Sequence, residues 1–318
     1  MLTPVSNSLI SFAKSPAVVF VNPFAGGGRA RASLRQIQKL FEDHTFHPEF
    51  VFTENAKELE SQAKTAIQRG SRLLIAMGGD GTFQGLVNAT VKSDVVLGVL
   101  PAGGGNDFAA ALGFPEDPVD AAAAILRSCP RSADLARVRT ADGKERLYLG
   151  GGGVGLDAEA ARHASETFRR LPGRLRYVAS ALRALSSYRP IEVHLEFPGS
   201  ELPAIPAKSL LAVVLNTPTY GAGIRAAPGA RTDDGWLDVV VLEDLHLFQI
   251  LTLLPRLIRS GELRTPHLKR VQARAVRLAT DRPCMFHGDG EILGPTPVEI
   301  EVVPAAVQVL APTEVLGA

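Results

Sequence analysis

The sequence predicts an α/β domain built on a doubly wound parallel sheet, followed by a domain rich in antiparallel strands. Strand-like apolar runs and helical patterns alternate up to about residue 126, which is typical of a parallel sheet covered by helices. Three of those runs end in glycine-rich loops. After about residue 134, short segments with alternating apolar and polar residues dominate, and this alternation indicates half-exposed antiparallel strands.

Four apolar runs predict the strands of the first domain. The run Ala17–Val21 is rich in β-branched residues, and apolar residues at helical spacing follow it. Further strands are expected at Glu49–Phe52, residues 73–77 and residues 95–100, each before another helical pattern. An alanine-rich helix at residues 119–126 closes this domain.

The second half is predicted to consist mainly of strands. These strands are expected at residues 135–139, 146–149, 191–197, 209–215, 237–242, 271–278, 298–302 and 307–310. Helices are expected at about residues 157–169, 174–186 and 245–259. The last helix is too apolar to be fully exposed and too short to cross a bilayer.

Size and composition fit two domains, because 318 residues with 46% hydrophobic content can build two cores. We expect a boundary near residues 129–134. The net charge of +1 gives no general indication of nucleic-acid binding. Cys129 and Cys284 form neither a disulfide framework nor a ligand cluster, which fits a reducing cytoplasm. We find no secretory signal pattern and no apolar run of about 18 residues.

The glycine-rich loops at residues 22–28, 78–82 and 101–107 are the strongest functional signal. Glycine lets backbone N–H groups approach a ligand, and the helix after each loop adds the positive end of its dipole. Because the carboxyl ends of parallel strands meet at one edge of the sheet, we expect the loops to converge there on a phosphate. They match neither the P-loop pattern nor the dinucleotide fingerprint.

Acidic residues in these loops have two interpretations. A carboxylate at Asp80, inside an anion-binding loop, is explained by a divalent cation or a proton transfer. Asp107 could likewise orient Mg²⁺ or its waters. The structural alternative is that Asp80 caps a glycine-rich turn and that Asn106 and Asp107 cap a helix.

Short motifs appear in a fixed order along most of the chain. They are Asn22-Pro23-Phe24-Ala25-Gly26, Gly78-Gly79-Asp80-Gly81-Thr82, Leu100-Pro101-Ala102-Gly103-Gly104-Gly105-Asn106-Asp107-Phe108-Ala109, Gly155-Leu156-Asp157-Ala158, Tyr220-Gly221-Ala222-Gly223, Asp233-Asp234-Gly235-Trp236-Leu237-Asp238 and Asp289-Gly290-Glu291. In this order they resemble the signatures of the diacylglycerol kinase catalytic-domain family, which includes bacterial lipid kinases and sphingosine kinases. The second motif alone is shared with NAD kinases, so the ordered set carries the resemblance.

The resemblance implies an N-terminal nucleotide domain similar to those of NAD kinase and phosphofructokinase at residues 1–133. It implies a C-terminal β-sandwich domain for the lipid substrate at residues 134–303, a tail at about residues 304–318 that returns to the first domain, and ATP in the cleft between the domains. The residues implied to line ATP are Asn22, Pro23, Phe24, Ala25, Gly26, Thr53, Gly79, Asp80, Gly81, Thr82, Gly85, Gly104, Asn106 and Asp107.

The resemblance also implies roles in the second domain. Either Asp289 or Glu291 would be the base that accepts the proton of the lipid hydroxyl, with Asp80 as the third catalytic residue. A structural Mg²⁺ would be held by the Asp234 carboxylate and the backbone carbonyls of Arg231 and Trp236. The structural alternative is a hairpin turn at residues 289–291 and a plain turn at residues 233–235.

Three segments depart from the family pattern. Gln84 and Gly85 replace an Asn-Glu pair, which removes a carboxylate from the nucleotide helix. Gly104 replaces a threonine and removes a hydroxyl, and the glycines at residues 150–153 replace a stretch that commonly carries an asparagine. These departures concern nucleotide affinity and turnover and leave the fold unaffected.

We therefore predict an ATP- and Mg²⁺-dependent kinase that phosphorylates a hydroxyl of a membrane lipid such as diacylglycerol. The alternatives are a kinase of a soluble nucleotide, of the NAD type, and a nucleotide-binding sensor with little catalysis.

The expected partners follow from charge and from the resemblance. Basic residues outnumber acidic ones at residues 162–189 and 256–277, which suits an anionic membrane surface or a solvated helix face. We expect a lipid substrate, peripheral membrane contact in the cytoplasm and no nucleic acid. The sequence leaves open whether the protein forms a homodimer.

Overall fold

The computed structural model describes residues 16–91, 93–155, 189–221 and 223–313. The helices predicted at residues 157–169 and 174–186 lie outside these ranges, as does most of the basic run at 162–189. The chain divides into two compact units, one formed by Met1–Ala133 with Ala305–Ala318 and one by Asp134–Pro304. In sequence, the second unit is therefore inserted into the first.

Unit 1 alternates strands and helices. Its elements up to residue 125 are β1 (Ala17–Val21), a 3-10 turn (Ala25–Gly27), α1 (Arg29–Asp43), β2 (Glu49–Phe52), α2 (Ala56–Gln68), β3 (Leu73–Gly78), α3 (Asp80–Thr90), β4 (Val96–Pro101), α4 (Asp107–Ala111) and α5 (Pro118–Ile125). The strands are parallel in the order β2-β1-β3-β4. Every residue of β1, β3 and β4 is buried, as expected for a parallel sheet with helices on both faces.

The helices of unit 1 pack in two pairs and begin at recognisable caps. α1 packs against α5, and α2 packs against α3. The Asn55 side chain accepts the N–H of Glu58 at the start of α2, and the Asp117 side chain accepts the N–H of Val119 at the start of α5. This arrangement confirms the predicted doubly wound α/β fold.

Unit 2 consists mainly of antiparallel strands. The remaining elements of the chain are β5 (Ser128–Thr140), β6 (Glu145–Tyr148), β7 (Gly151–Gly155), β8 (Ile191–Glu196), β9 (Ile205–Leu215), β10 (Thr219–Tyr220), β11 (Ile224–Arg225), β12 (Leu237–Glu243), α6 (Leu247–Ser260), β13 (Leu268–Ala273), β14 (Ala275–Thr280), β15 (Met285–Gly288), β16 (Glu291–Pro295) and β17 (Val298–Pro312). β9 pairs with β7, β8 and β12, and β14 pairs with β8 and with the first part of β17, all antiparallel. The predicted β-rich second domain is confirmed.

The strands of the second half of the chain differ from the predicted ones in some details. Residues 271–278 belong to two strands, because the chain leaves β13 after Ala273 and enters β14 at Ala275. The strands predicted at 298–302 and 307–310 form a single strand, β17. β7 was not predicted, because four of its five residues are glycines and no side-chain pattern marks it.

The glycines of β7 are required by packing. A Cβ at Gly152 would lie 2.7 Å from the Phe286 ring, and a Cβ at Gly153 would lie 2.6 Å from the Ala212 carbonyl oxygen. Phe286 and Ala212 are both buried in the main core of unit 2. The strand therefore passes through a part of the sheet where neighbouring residues fill the space of its missing side chains.

Candidate functional site

The glycine loop after β1 has a conformation that favours glycine. Gly26, Gly27 and Gly28 have φ values of 59°, 71° and 98°. A Cβ at Gly26 would overlap the carbonyl oxygen of Ala102, whereas nothing lies within 4 Å of a Cβ at Gly27. Successive backbone N–H groups in such turns form concave anion-binding surfaces. Glycine is needed here both for the chain direction and for close contact with the loop after β4.

The loops after β3 and β4 also contact each other. The N–H of Ala102 donates a hydrogen bond to the Gly78 carbonyl at 2.7 Å. A Cβ at Gly79 would lie 3.2 Å from the Cα of Gly103, so only two glycines allow this approach. The three loops therefore meet at the carboxyl edge of the parallel sheet, where α/β proteins bind their ligands.

Asp80 joins two of these loops. It is the first residue of α3, and its carboxylate accepts the N–H of Asn106 at 2.7 Å and the N–H of Phe108 at 3.3 Å. The Asn106 side chain in turn accepts the N–H of Gly103 at 3.0 Å. The Asp80 carboxylate therefore caps the start of α4, where Asp107 is the first residue, which is a different role from the predicted cap of its own glycine-rich turn.

Arg29 is a basic residue of the site that sequence reasoning missed. It begins α1, and its Nη2 donates a hydrogen bond to the Gly103 carbonyl. Its Nη1 lies 3.9 Å from the Glu116 carboxylate. The guanidinium joins the first loop to the third and brings a positive charge to them. The available signal was a basic residue directly after a glycine run at the start of a helix.

The other residues predicted to line ATP differ in exposure. Asn22 donates from Nδ2 to the Thr82 hydroxyl at 3.4 Å, and the N–H of Thr53 donates to the Val21 carbonyl at 2.9 Å. Thr53 is buried, whereas Phe24, Gly26, Gly81 and Gly104 are exposed and Pro23, Ala25 and Gly79 are half-buried.

Gly85 has a packing role. A Cβ at this position would lie 3.0 Å from Cδ2 of Leu59, so the glycine lets α3 approach α2. A longer side chain here has to displace Leu59, which is buried. The contact gives Gly85 a packing role that is independent of a nucleotide.

In unit 2, Asp289 occupies a hairpin turn and also anchors a neighbouring strand. β15 and β16 are joined by Asp289 and Gly290, whose φ values are 49° and 85°, as in the two-residue turns preferred by hairpins. The Asp289 carboxylate accepts the N–H groups of Leu149 at 2.6 Å, Gly150 at 2.9 Å and Gly151 at 3.2 Å. The predicted turn is present, and its carboxylate ties the hairpin to the start of β7.

Glu291 differs from Asp289 in its surroundings. It is exposed and begins β16, where its backbone pairs with Gly288. The nearby Tyr148 is fully buried and donates its hydroxyl hydrogen bond to the Val214 carbonyl at 3.1 Å. Burial, and to a smaller extent the charge of Asp289, raise the pKa of Tyr148 well above its ordinary value. Tyr148 is therefore a neutral structural residue beneath the turn.

The segment implied to hold a structural Mg²⁺ has suitable donor atoms. Asp234 offers a carboxylate, one oxygen of which accepts the N–H of Trp236 at 3.0 Å, and the N–H of Gly235 donates to the buried Asp134 carboxylate at 2.7 Å. Asp233 pairs with Arg231 at 3.1 Å. A carboxylate with peptide carbonyls is an oxygen-only set, which Mg²⁺ prefers. Within the described ranges, no three His, Cys, Asp or Glu side chains form a metal-binding group.

Asp238 adds a second acidic residue next to this segment. It is buried at the start of β12, and Gln272 donates to its carboxylate at 3.3 Å. Burial, together with the charge of Asp234, raises the pKa of Asp238 above its ordinary value, against the lowering effect of the Gln272 hydrogen bond. A cation bound by Asp234 would oppose this effect.

The chain matches two family models over most of its length. Residues 16–138 match the diacylglycerol kinase catalytic domain, and residues 152–311 match the YegS C-terminal NAD kinase beta sandwich-like domain. Among curated proteins, it is 30% identical to a diacylglycerol kinase of Mycobacterium tuberculosis, covering 92% of this chain and 93% of the relative. It is 28% identical to a diacylglycerol kinase of Bacillus subtilis, covering 94% and 97%.

Solved structures support the fold. A putative diacylglycerol kinase from Bacillus anthracis str. Sterne superposes with a TM-score of 0.77 at 21% identity, covering 95% of this chain and 98% of that one. Among the curated proteins, a probable YegS-like lipid kinase of Stenotrophomonas maltophilia is also similar, with 29% identity covering 80% of this chain and 84% of the relative. The chain belongs to the diacylglycerol kinase family of lipid kinases, phosphotransferases with an alcohol acceptor.

Proposed function

We propose that this protein transfers the γ-phosphoryl group of ATP, with Mg²⁺, to a hydroxyl group of a membrane lipid such as diacylglycerol. The observation that carries the nucleotide part is the meeting of three glycine loops at one sheet edge in a chain of this family. Backbone N–H groups of those loops and the start of α3 would bind the phosphates, and Arg29 would add a positive charge. Bound Mg²⁺ would neutralise charge on the transferring phosphoryl group.

Two carboxylates receive distinct roles in this proposal. The oxygens of Asp289 already accept three backbone N–H groups, so we assign Asp289 to positioning the turn. Glu291 is exposed and lies two residues away, and we assign it as the base that accepts the proton of the lipid hydroxyl. Asp80 is assigned to holding Asn106 and α4 in place beside the phosphate loops.

Exposed apolar residues favour a lipid over a soluble acceptor. Ile292 follows Glu291 directly and is 62% exposed, and Met285, at the far end of the same hairpin opposite Pro295, is 45% exposed. An exposed apolar side chain next to the proposed base is compatible with acyl chains and has no evident use in binding a charged dinucleotide.

The basic run at residues 256–277 supports membrane contact only weakly. Arg264 pairs with Glu262 at 2.7 Å, and Lys269 pairs with Glu243 at 2.7 Å. Arg270 donates to the backbone carbonyl of Ala226. Among the described helices, none has the length and apolar character needed to cross a bilayer. Peripheral contact with anionic lipid therefore stays a proposal that vesicle binding must test.

The experiment is transfer of labelled phosphate from ATP, with Mg²⁺, to diacylglycerol in mixed vesicles and to NAD in solution. We expect label in the lipid, a loss of roughly 100-fold or more in kcat for Glu291→Gln, and a smaller loss for Asp289→Asn. Asp80→Asn should abolish transfer. A lowered melting temperature of this variant would show that the cap of α4 is lost, whereas an unchanged one would show that the carboxylate is needed for the reaction itself.

The same assay decides between the alternatives. Label in NAD alone would replace the lipid kinase with a soluble-nucleotide kinase. Stabilisation by ADP without transfer to either acceptor would favour a nucleotide sensor, an alternative to which the exposed Gly104, lacking a hydroxyl, gives some support. Full activity in Glu291→Gln would overturn the assignment of the base.

A further inference from the structure

Two exposed phenylalanines stand beside the glycine loops of unit 1. Phe24 is 68% exposed and Phe52 is 50% exposed. Aromatic side chains in a folded domain normally bury most of their surface, because the rings contribute large apolar areas to the core. The other phenylalanines around α1 follow this rule, since Phe41 is buried and contacts both Phe46 and Phe50.

The backbone places Phe24 and Phe52 at the same sheet edge. β1 and β2 are parallel neighbours, and their register sets Val21 opposite Phe52. Phe24 follows Val21 by three residues, and its N–H donates to the Asn22 side chain at 3.1 Å. Both rings are therefore carried by fixed backbone at the carboxyl ends of adjacent strands, next to the concave loop at Gly26.

Each part of this edge suits a different part of a nucleotide. The glycine N–H groups and Arg29 suit a triphosphate, whereas a phenyl ring offers nothing to a phosphate. An exposed aromatic ring does provide a stacking surface for a nucleobase, and it stacks on any base because every base has a π face. The purine ring is the planar apolar portion of ATP, and it is the portion that the glycine loops leave without a partner.

We propose that Phe24 and Phe52 form the stacking surface for the purine base of the nucleotide whose phosphates occupy the glycine loops. This inference rests on the proposed function, because it requires a nucleotide at unit 1. It adds the residues that recognise the base. Stacking contacts the face of a base and not the hydrogen-bonding groups on its edge. These two residues should therefore bind adenine and guanine about equally well.

The test compares ATP with inorganic tripolyphosphate, which has the phosphates and lacks the base. Calorimetry with Mg²⁺ is performed on the wild type, on Phe24→Ala and Phe52→Ala, and on the aromatic controls Phe24→Tyr and Phe52→Tyr. We expect each alanine variant to lose about tenfold in ATP affinity, the tyrosine variants to retain it, and tripolyphosphate affinity to stay unchanged throughout. Both positions are exposed, so the variants should fold normally.

Three outcomes would overturn the inference. Equal losses for ATP and tripolyphosphate would show that the rings shape the phosphate site and do not contact the base. Unchanged ATP affinity in the alanine variants would show that the rings do not hold the base, and an altered oligomeric state in sedimentation would then assign them to contact between copies of the chain. If the wild type binds neither ligand, the proposed nucleotide site fails as well, so failure of the inference and failure of the proposed function are distinguishable.

Discussion

The glycines of the first loop differ in how much an added methyl group would disturb the structure. Gly26 has a positive φ, and a Cβ there would overlap the Ala102 carbonyl oxygen, whereas a Cβ at Gly27 meets nothing within 4 Å. The Ala102 carbonyl belongs to the backbone, which cannot move aside as a flexible side chain can. Position 26 therefore combines conformational strain with a clash between two loops, and position 27 has the strain alone.

We predict that Gly26→Ala displaces the first loop and abolishes measurable ATP binding. Gly27→Ala should cost only the left-handed conformation, about 1–2 kcal/mol of stability, and retain binding. Calorimetric affinity and thermal unfolding measure both effects. Equal binding by the two variants would show that contact between the first and third loops is unnecessary for the site.

Residue-level chemistry was only partly predictable. The sequence could identify Asp80 and Asp289 as acids in glycine-rich turns, but their partners lie far away along the chain. Asp80 binds the N–H of Phe108, 28 residues later, and Asp289 binds the N–H of Leu149, 140 residues earlier. Such contacts depend on the folded arrangement, so turn chemistry alone left the structural and catalytic interpretations open.

At the scale of elements, the position of β7 is determined by the residues that pack against it, because its glycines contribute no side chains. A Cβ at Gly152 would lie 2.7 Å from the Phe286 ring and 2.8 Å from the His287 carbonyl oxygen. The strand also receives the Asp289 carboxylate at its start, so a shift of β7 would move the hairpin that carries Glu291.

We predict that Gly152→Ala destabilises the protein by about 1–3 kcal/mol, the usual cost of overpacking, and lowers kinase activity more than the stability loss explains. Gly229→Ala is the matched control, because that glycine is exposed and a Cβ there meets nothing within 4 Å. Thermal unfolding and lipid phosphorylation assays check both. An active Gly152→Ala protein with an unchanged melting temperature would contradict this account of β7.

The start of β12 makes stability depend on pH. The raised pKa of Asp238 means that the folded protein binds a proton more tightly there than the unfolded chain, whose value is near 3.8. This contribution to stability is present below that value and is lost as pH rises through the folded pKa. Above it, the ionised carboxylate remains buried near Asp234.

Asp238→Asn should therefore melt at a higher temperature than the wild type at pH 7.5, and the difference should shrink toward pH 4. Asparagine keeps an oxygen for the Gln272 hydrogen bond, so packing is preserved. Measurements in a chelator exclude stabilisation by a divalent cation. A difference that is the same at both pH values would assign the effect to something other than ionisation.

The helices and strands with a clear hydrophobic pattern could be predicted from the sequence, and those without one could not. The buried runs of β1, β3 and β4 and the alternation in β8 contained enough apolar residues to show their type. β7 has no such pattern, because its packing partners supply the side chains. The break between β13 and β14 falls at Arg274, and the sequence marks it only by two adjacent apolar residues, Ala275 and Val276, which is too small a signal to separate two strands.

At the scale of the whole molecule, unit 1 is completed by the end of the chain. β17 leaves unit 2 and pairs in parallel with β4, with Gln308 opposite Val96 and Val309 opposite Leu97. Val309, Leu310 and Ala311 are buried. The parallel sheet that carries the glycine loops thus depends on residues more than 200 positions later in the chain, since Gln308 lies 212 residues after its partner Val96.

We predict that ending the chain after Pro304 removes the part of β17 that pairs with β4 and destabilises unit 1 severely. Burial of Val309 and Leu310 alone is worth about 1.5–3 kcal/mol each, which is a large share of a typical total of about 5–15 kcal/mol. Ending the chain after Thr313 is the control and should melt like the full chain. Limited proteolysis and ATP affinity provide the readout, because loss of the second part of β17 should expose β4 and open the glycine loops at its end. A protein ending at Pro304 that binds ATP normally would show that unit 1 is complete without its last strand.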